Sequence, residues 1–99
     1  MKKVIAKVSF REKVLEVVRG IKEGKVMTYK SVAEKAGNKN ASRAVGNFMK
    51  ANFDKTVPCH RVVRSDGVVG DYNRGGKKKK ISMLKKEGVK FVGEKVILK

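Results

Sequence analysis

Residues 28–50 read TYKSVAEKAGNKNASRAVGNFMK, and this stretch decides the fold. Thr28 carries a side-chain acceptor suited to cap a short helix from Tyr29 to Ala36, and Gly37 is the residue type that stops one. Gly37-Asn38-Lys39-Asn40 follows as a loop. Beyond it, Ala41 to about Lys50 sorts at about 100° per residue. Ala41, Ala44, Val45 and Phe48 fall on one side, and Ser42, Arg43, Gly46, Asn47 and Lys50 on the other. Two short helices joined by a tight Gly/Asn turn, the second with a small and basic outer face, make the helix-turn-helix arrangement of many DNA-binding domains.

On the amino-terminal side, Ser9 followed by Glu12 is a capping box. Phe10, Val14, Leu15, Val17 and Val18 then recur at helical spacing as far as Gly20. Gly24 marks a turn. On the carboxy-terminal side, Asn52 to Thr56 reads as loop, Val57 to Arg64 as extended chain, and Ser65-Asp66-Gly67 as a turn into Val68-Val69. A glycine-rich loop, Gly70 to Gly76, carries Tyr72. The helix expected from Lys77 to Glu87 is buried through Ile81, Met83 and Leu84 and ended by Gly88. Val89 to Leu98 alternates around Gly93-Glu94, as a closing hairpin does. The expected fold is mainly α with small β: one winged helix-turn-helix-like domain over residues 1–99, with short strands and a carboxy-terminal hairpin.

The 99 residues include 26 Lys and Arg against nine Asp and Glu, a formal net charge of +17. The basic residues divide evenly, 13 in residues 1–50 and 13 in 51–99, so the domain itself is basic and carries no separate basic tail. A polyanion is the natural partner, and nucleic acid is favoured over a membrane surface. The competing reading is a lysine-solvated surface of a thermostable protein. No apolar run approaches the ~18 residues needed to cross a bilayer. The opening Met1-Lys2-Lys3-Val4-Ile5-Ala6-Lys7 is too short and too charged for a signal peptide, so cytoplasmic residence and a monomer are expected. One cysteine and one histidine assemble neither an internal disulfide nor a Cys/His zinc site, and no metal or cofactor is expected.

Pro58-Cys59-His60-Arg61-Val62 holds the chain's only proline, only cysteine and only histidine. A thiol reacts as its thiolate and is mostly protonated at neutral pH, so an adjacent imidazole offers nucleophile and base together. The alternative is a buried structural thiol, since free cysteine is among the most buried residue types. Glu87 adds a second hint. A carboxylate in the last turn of a helix faces the negative end of the dipole, which a compensating cation would explain.

Arg43-Ala44-Val45-Gly46, Pro58-Cys59-His60-Arg61-Val62 and Lys80…Leu84…Glu87-Gly88, in this order and at these separations, resemble the O6-alkylguanine-DNA alkyltransferase family from Phe10 to Gly88. The resemblance implies removal of an alkyl group from O6 of guanine in duplex DNA, kept irreversibly on the cysteine. By it Cys59 is the acceptor, His60 takes its proton through a water, and Glu87 orients the imidazole. Asn52 is the hinge tying the helix-turn-helix to the active-site loop. Arg43 matches a finger that fills the gap left by a flipped nucleotide. Tyr29 matches a tyrosine contacting the phosphate of that nucleotide. Ser42, Ala44 and Gly46 allow close approach in the minor groove, with Lys50 on the same basic face. Tyr72, Met49, Val62, Val69, Asn73 and Lys80 are expected at the guanine pocket.

Full-length members of the family usually carry an additional amino-terminal domain, and by the resemblance the residues here are expected to be the catalytic and DNA-binding domain without it. The loop from Asn52 to Pro58 is one residue shorter than usual, without the customary proline, and Arg74 is an apparent insertion beside Asn73. Two other functions compete: a non-catalytic damage sensor, whose known relatives replace the cysteine, and a helix-turn-helix regulator.

Overall fold

The computed structural model describes residues 9–52, 54–70, 72 and 75–98. Four α-helices and two pairs of very short strands make the fold mainly α, as expected. Helix α1 (Phe10–Arg19) starts where Ser9 Oγ accepts the Glu12 N–H at 3.1 Å. Strand β1 (Met27–Thr28) runs into α2 (Tyr29–Lys35), whose Thr28 cap accepts the Ser31 N–H at 3.0 Å. Gly37, at φ +106°, turns the chain away after Ala36. Helix α3 (Ser42–Ala51) follows, one residue beyond the range read from the sequence.

The Pro58 to Val62 segment differs from expectation. It is not extended throughout: Cys59–Arg61 form one 3₁₀ turn, closed by Arg61 N–H to Pro58 O at 3.0 Å, and only Val62–Val63 (β2) is strand. Strand β2 pairs in parallel with β1, Met27 opposite Val62 and Thr28 opposite Val63. That pairing of two residues with two fixes the 3₁₀ turn against the entry to the helix-turn-helix.

Successive strand residues face opposite ways. Val62 therefore belongs to the core of α1, α2 and α3 with Val14, Val18, Val32, Val45 and Met49. Val63 joins a second cluster with Val69, Leu84 and Val96. Each fully buried valine stabilises by about 1.5–3 kcal/mol. Helix α4 (Gly76–Lys86) is seated by Lys80 and Leu84, one turn apart, while Ile81 and Met83 are only half-buried. A lysine deeper than the neighbouring isoleucine has a polar partner, described below.

The hairpin β3 (Phe91–Val92) and β4 (Lys95–Val96) closes the domain as expected, with Gly93 at φ +63°. It is pinned to the turn after β2. Val96 N–H donates to Gly67 O at 2.8 Å, and Gly67 holds φ +87° with no room for a Cβ, which would stand 2.6 Å from Val96 O.

Candidate active site

Cys59 lies at the start of the 3₁₀ turn and is 4% exposed. Asn52 ends α3, and its side-chain Nδ2 donates to Cys59 Sγ at 3.1 Å and to Asp54 O at 3.4 Å. The Asp54 N–H returns a bond to Asn52 Oδ1 at 3.4 Å. A buried amide, itself oriented by the loop backbone, thus offers a donor to the sulfur.

The two neighbours of Cys59 on the turn converge on Glu87. His60 Nε2 stands 2.8 Å from Glu87 Oε2, and Arg61 donates from Nε to Oε1 at 2.9 Å and from Nη2 to Oε2 at 2.8 Å. The remaining Arg61 nitrogen, Nη1, donates to Ile21 O at 2.8 Å, anchoring the guanidinium to the end of the α1 segment. The Arg61 hydrogen bonds, with help from His60 and against the penalty of burial, lower the Glu87 pKa from 4.5 to about 2. The same partnership raises that of Arg61. Glu87 caps the end of α4, and its compensating cations are therefore Arg61 and, when protonated, His60. The sequence reading gave Arg61 no role. Its signal was its place in the Pro-Cys-His-Arg-Val run together with the unexplained carboxylate at a helix end.

Cys59 lines an open cleft of about 720 Å³. One wall is the outer face of α3, with Ser42, Arg43, Gly46 and Lys50, as the periodicity predicted. Asn47 and, from α2, Lys30 join it. Tyr29, Tyr72 and Lys80 line the interior. Lys80, 1% exposed, donates from Nζ to Tyr29 OH at 3.4 Å and stands 5.8 Å from the centroid of that ring. The turn Arg64-Ser65-Asp66, read from the sequence only as a turn, also lines the cleft.

Some expected residues lie elsewhere. Val62 and Val69 are core residues of the two clusters and do not line the cleft, because strand alternation and the folding back of the 64–68 turn point them inward. Ala44 sits half-buried and does not line the cleft. Asn73 and Arg74 lie outside the described residues. His60, its ring edge-on to Tyr72 at 6.5 Å between centroids, borders a smaller cleft of about 510 Å³ with Pro58, Arg61 and Lys79. Cys59 thus lines the larger cleft and His60 the smaller one.

The family model described as 6-O-methylguanine DNA methyltransferase, DNA binding domain, matches residues 9–89. The chain belongs to that family. The methylated-DNA–protein-cysteine methyltransferase of Rattus norvegicus is 42% identical over 83 residues, 82% of this chain and 40% of the rat protein. Its namesake from Methanothermobacter thermautotrophicus is 42% identical over 85 residues, 86% of this chain and 47% of that one. The chain therefore spans less than half the length of these relatives.

Among solved structures, Schizosaccharomyces pombe Atl1 in complex with damaged DNA containing O6-carboxymethylguanine superposes with a TM-score of 0.74 at 34% identity, over 84% of this chain and 79% of that one. The Mycobacterium tuberculosis OGT in complex with DNA gives 0.74 at 32% identity, over 80% and 48%. No helix among the described residues is long and apolar enough to cross a membrane.

Proposed function

We propose that residues 1–99 are a catalytic and DNA-binding domain that accepts an alkyl group from O6-alkylguanine in duplex DNA onto Cys59, once per chain. The observation that carries this reading is that Cys59 lines the same cleft as the basic outer face of α3. A thiol at 4% exposure is out of reach of a base still stacked in the duplex. The base must enter the cleft, and extrusion costs a few kcal/mol, least for a weakened pair. Arg43 fills the vacated stack, Tyr29 meets the phosphate of the extruded nucleotide, and Gly46 lets α3 approach the minor groove. Met49, Tyr72 and Lys80 receive the base.

His60 Nε2 is held by Glu87, so Nδ1 is the nitrogen that takes the thiol proton, through a water. Glu87 stabilises the imidazolium that forms, and Arg61 keeps Glu87 ionised and oriented. The Asn52 amide favours the thiolate. The sulfur attacks the alkyl carbon, the S–C bond forms, and the C–O6 bond breaks with its electron pair left on the guanine oxygen. The Lys80 ammonium stabilises that departing anion until it gains a proton.

Intact-mass measurement after incubation with a duplex carrying O6-methylguanine tests this reading. It predicts one added methylene, mapped to the Cys59 peptide, and none in Cys59→Ser, which still binds the duplex. Saturated DNA binding with unchanged mass would overturn transfer. It would support instead damage recognition without chemistry, a reading favoured by the match to most of the length of Atl1.

A further inference from the structure

We infer that Arg64 is a second DNA-gripping arginine, lining the same cleft as Arg43 and held in reserve by Asp66 until a backbone phosphate displaces it. The inference rests on the reading of the cleft as a duplex site, and extends it to the wall formed by the turn after β2.

Arg64 is 60% exposed at its side chain and lines the same cleft as Lys30, Arg43 and Lys50, which all come from the helix-turn-helix side. Among the described residues that line the cleft, it is the exposed cation from outside the helix-turn-helix, Lys80 being buried. Its backbone is fixed: the Arg64 N–H donates to Val68 O at 3.1 Å, and Arg64 O accepts the Gly67 N–H at 2.8 Å. The turn is in turn bonded to the hairpin through Gly67 and Val96. A long cationic side chain on such a rigid base reaches a partner at little further ordering cost beyond its own rotamers.

The two oxygens of Asp66 divide the work. Oδ1 accepts the Val68 N–H at 3.0 Å and shapes the turn, while Oδ2 faces Arg64 Nη2 at 3.4 Å. The bond from Val68 lowers the Asp66 pKa, so the carboxylate is charged throughout the neutral range. An exposed pair at this distance is weak. A phosphate, which offers a fork-matched bidentate partner, competes well for the guanidinium. A nucleotide swung into the cleft carries its strand's phosphates over the cleft mouth. Arg64, on the turn after β2, adds to the helix-turn-helix cations one held by a different element of the fold, and Asp66 disfavours anions that lack this geometry.

Binding of the full chain to an unmodified and to an O6-methylguanine duplex, followed by fluorescence anisotropy across a salt series, tests the proposal. Arg64→Ala should weaken binding about two- to fivefold at low salt and reduce the slope of log K against log salt by about 0.9. The loss should be alike on the two duplexes, and Lys13→Ala, on α1 outside the cleft, should leave the slope unchanged. Asp66→Asn keeps the Oδ1 acceptor. It should tighten binding in the wild-type background and have no such effect in the Arg64→Ala background. Urea unfolding of Arg64→Ala should match that of the wild type, which shows the fold intact. An unaltered salt slope in Arg64→Ala, or equal tightening by Asp66→Asn with and without Arg64, would overturn the proposal while leaving the duplex reading in place. Absence of salt-dependent duplex binding by the wild type would overturn both.

Discussion

Arg61 grips both oxygens of Glu87, Nε to Oε1 at 2.9 Å and Nη2 to Oε2 at 2.8 Å, and thereby welds the 3₁₀ turn of Cys59 to the end of α4. The side chains are 16% and 14% exposed, between the fully buried pairs whose disruption costs 3–5 kcal/mol and the surface pairs worth less than about 1. Arg61→Ala should therefore lower stability by about 2 kcal/mol in urea unfolding. Arg61→Lys should recover only part, because an ammonium does not reproduce the two-pronged contact. A loss below about 0.5 kcal/mol in Arg61→Ala would reduce the pair to a surface ornament.

The same pair sets the acid limit of the fold. Glu87 titrates at about 2 in the folded protein against an ordinary 4.5. Its contribution is complete above pH 4.5 and is lost as pH falls through 2, amounting at most to about 3 kcal/mol. Urea unfolding of wild type and Glu87→Gln at a series of pH values should show the two curves converging as the pH drops across that window. Parallel curves would mean that the carboxylate is not held in its charged form by its neighbours.

Gly46 separates packing from function. A Cβ built on it meets nothing within 4 Å, and it lies in the interior of α3, where alanine is favoured over glycine by about 1 kcal/mol. Gly46→Ala should raise stability by about 0.5–1 kcal/mol, and Gly46→Leu should fold as well as wild type. Duplex binding should fall in the leucine variant, because its side chain projects from the cleft wall into the space the DNA backbone needs. Leucine binding duplex as tightly as glycine would remove α3 from the contact surface.

The parts of this fold legible in the sequence are those written in local chemistry. The Ser9 and Thr28 caps, the left-handed Gly37 and the one-sided periodicity of α3 each act within a few residues, and each lies where the pattern placed it. The 3₁₀ turn was not legible, since three residues carry no period, and their shape comes from Pro58 and two backbone bonds, Arg61 N–H to Pro58 O and Val62 N–H to Cys59 O. The parallel pairing of β1 with β2 joins residues 35 apart in register, Met27 with Val62, and two-residue strands leave no alternation to read. The clustering of Cys59 and His60 was visible by inspection. The Arg61–Glu87 contact was only implied by an awkward carboxylate. Val62 and Val69 were misplaced because a valine near a site reads the same whether it faces the cleft or the core.

The central claim is that Cys59 is consumed by its substrate. The direct measurement is the stoichiometry of label transferred from a duplex carrying O6-[methyl-³H]guanine to the full chain, with the DNA in excess. The account predicts a plateau at one methyl per chain, all of it in the Cys59 peptide, and no transfer from a second addition of substrate. Label that stays on the DNA although the duplex is bound, or that is released repeatedly into solution, would contradict it.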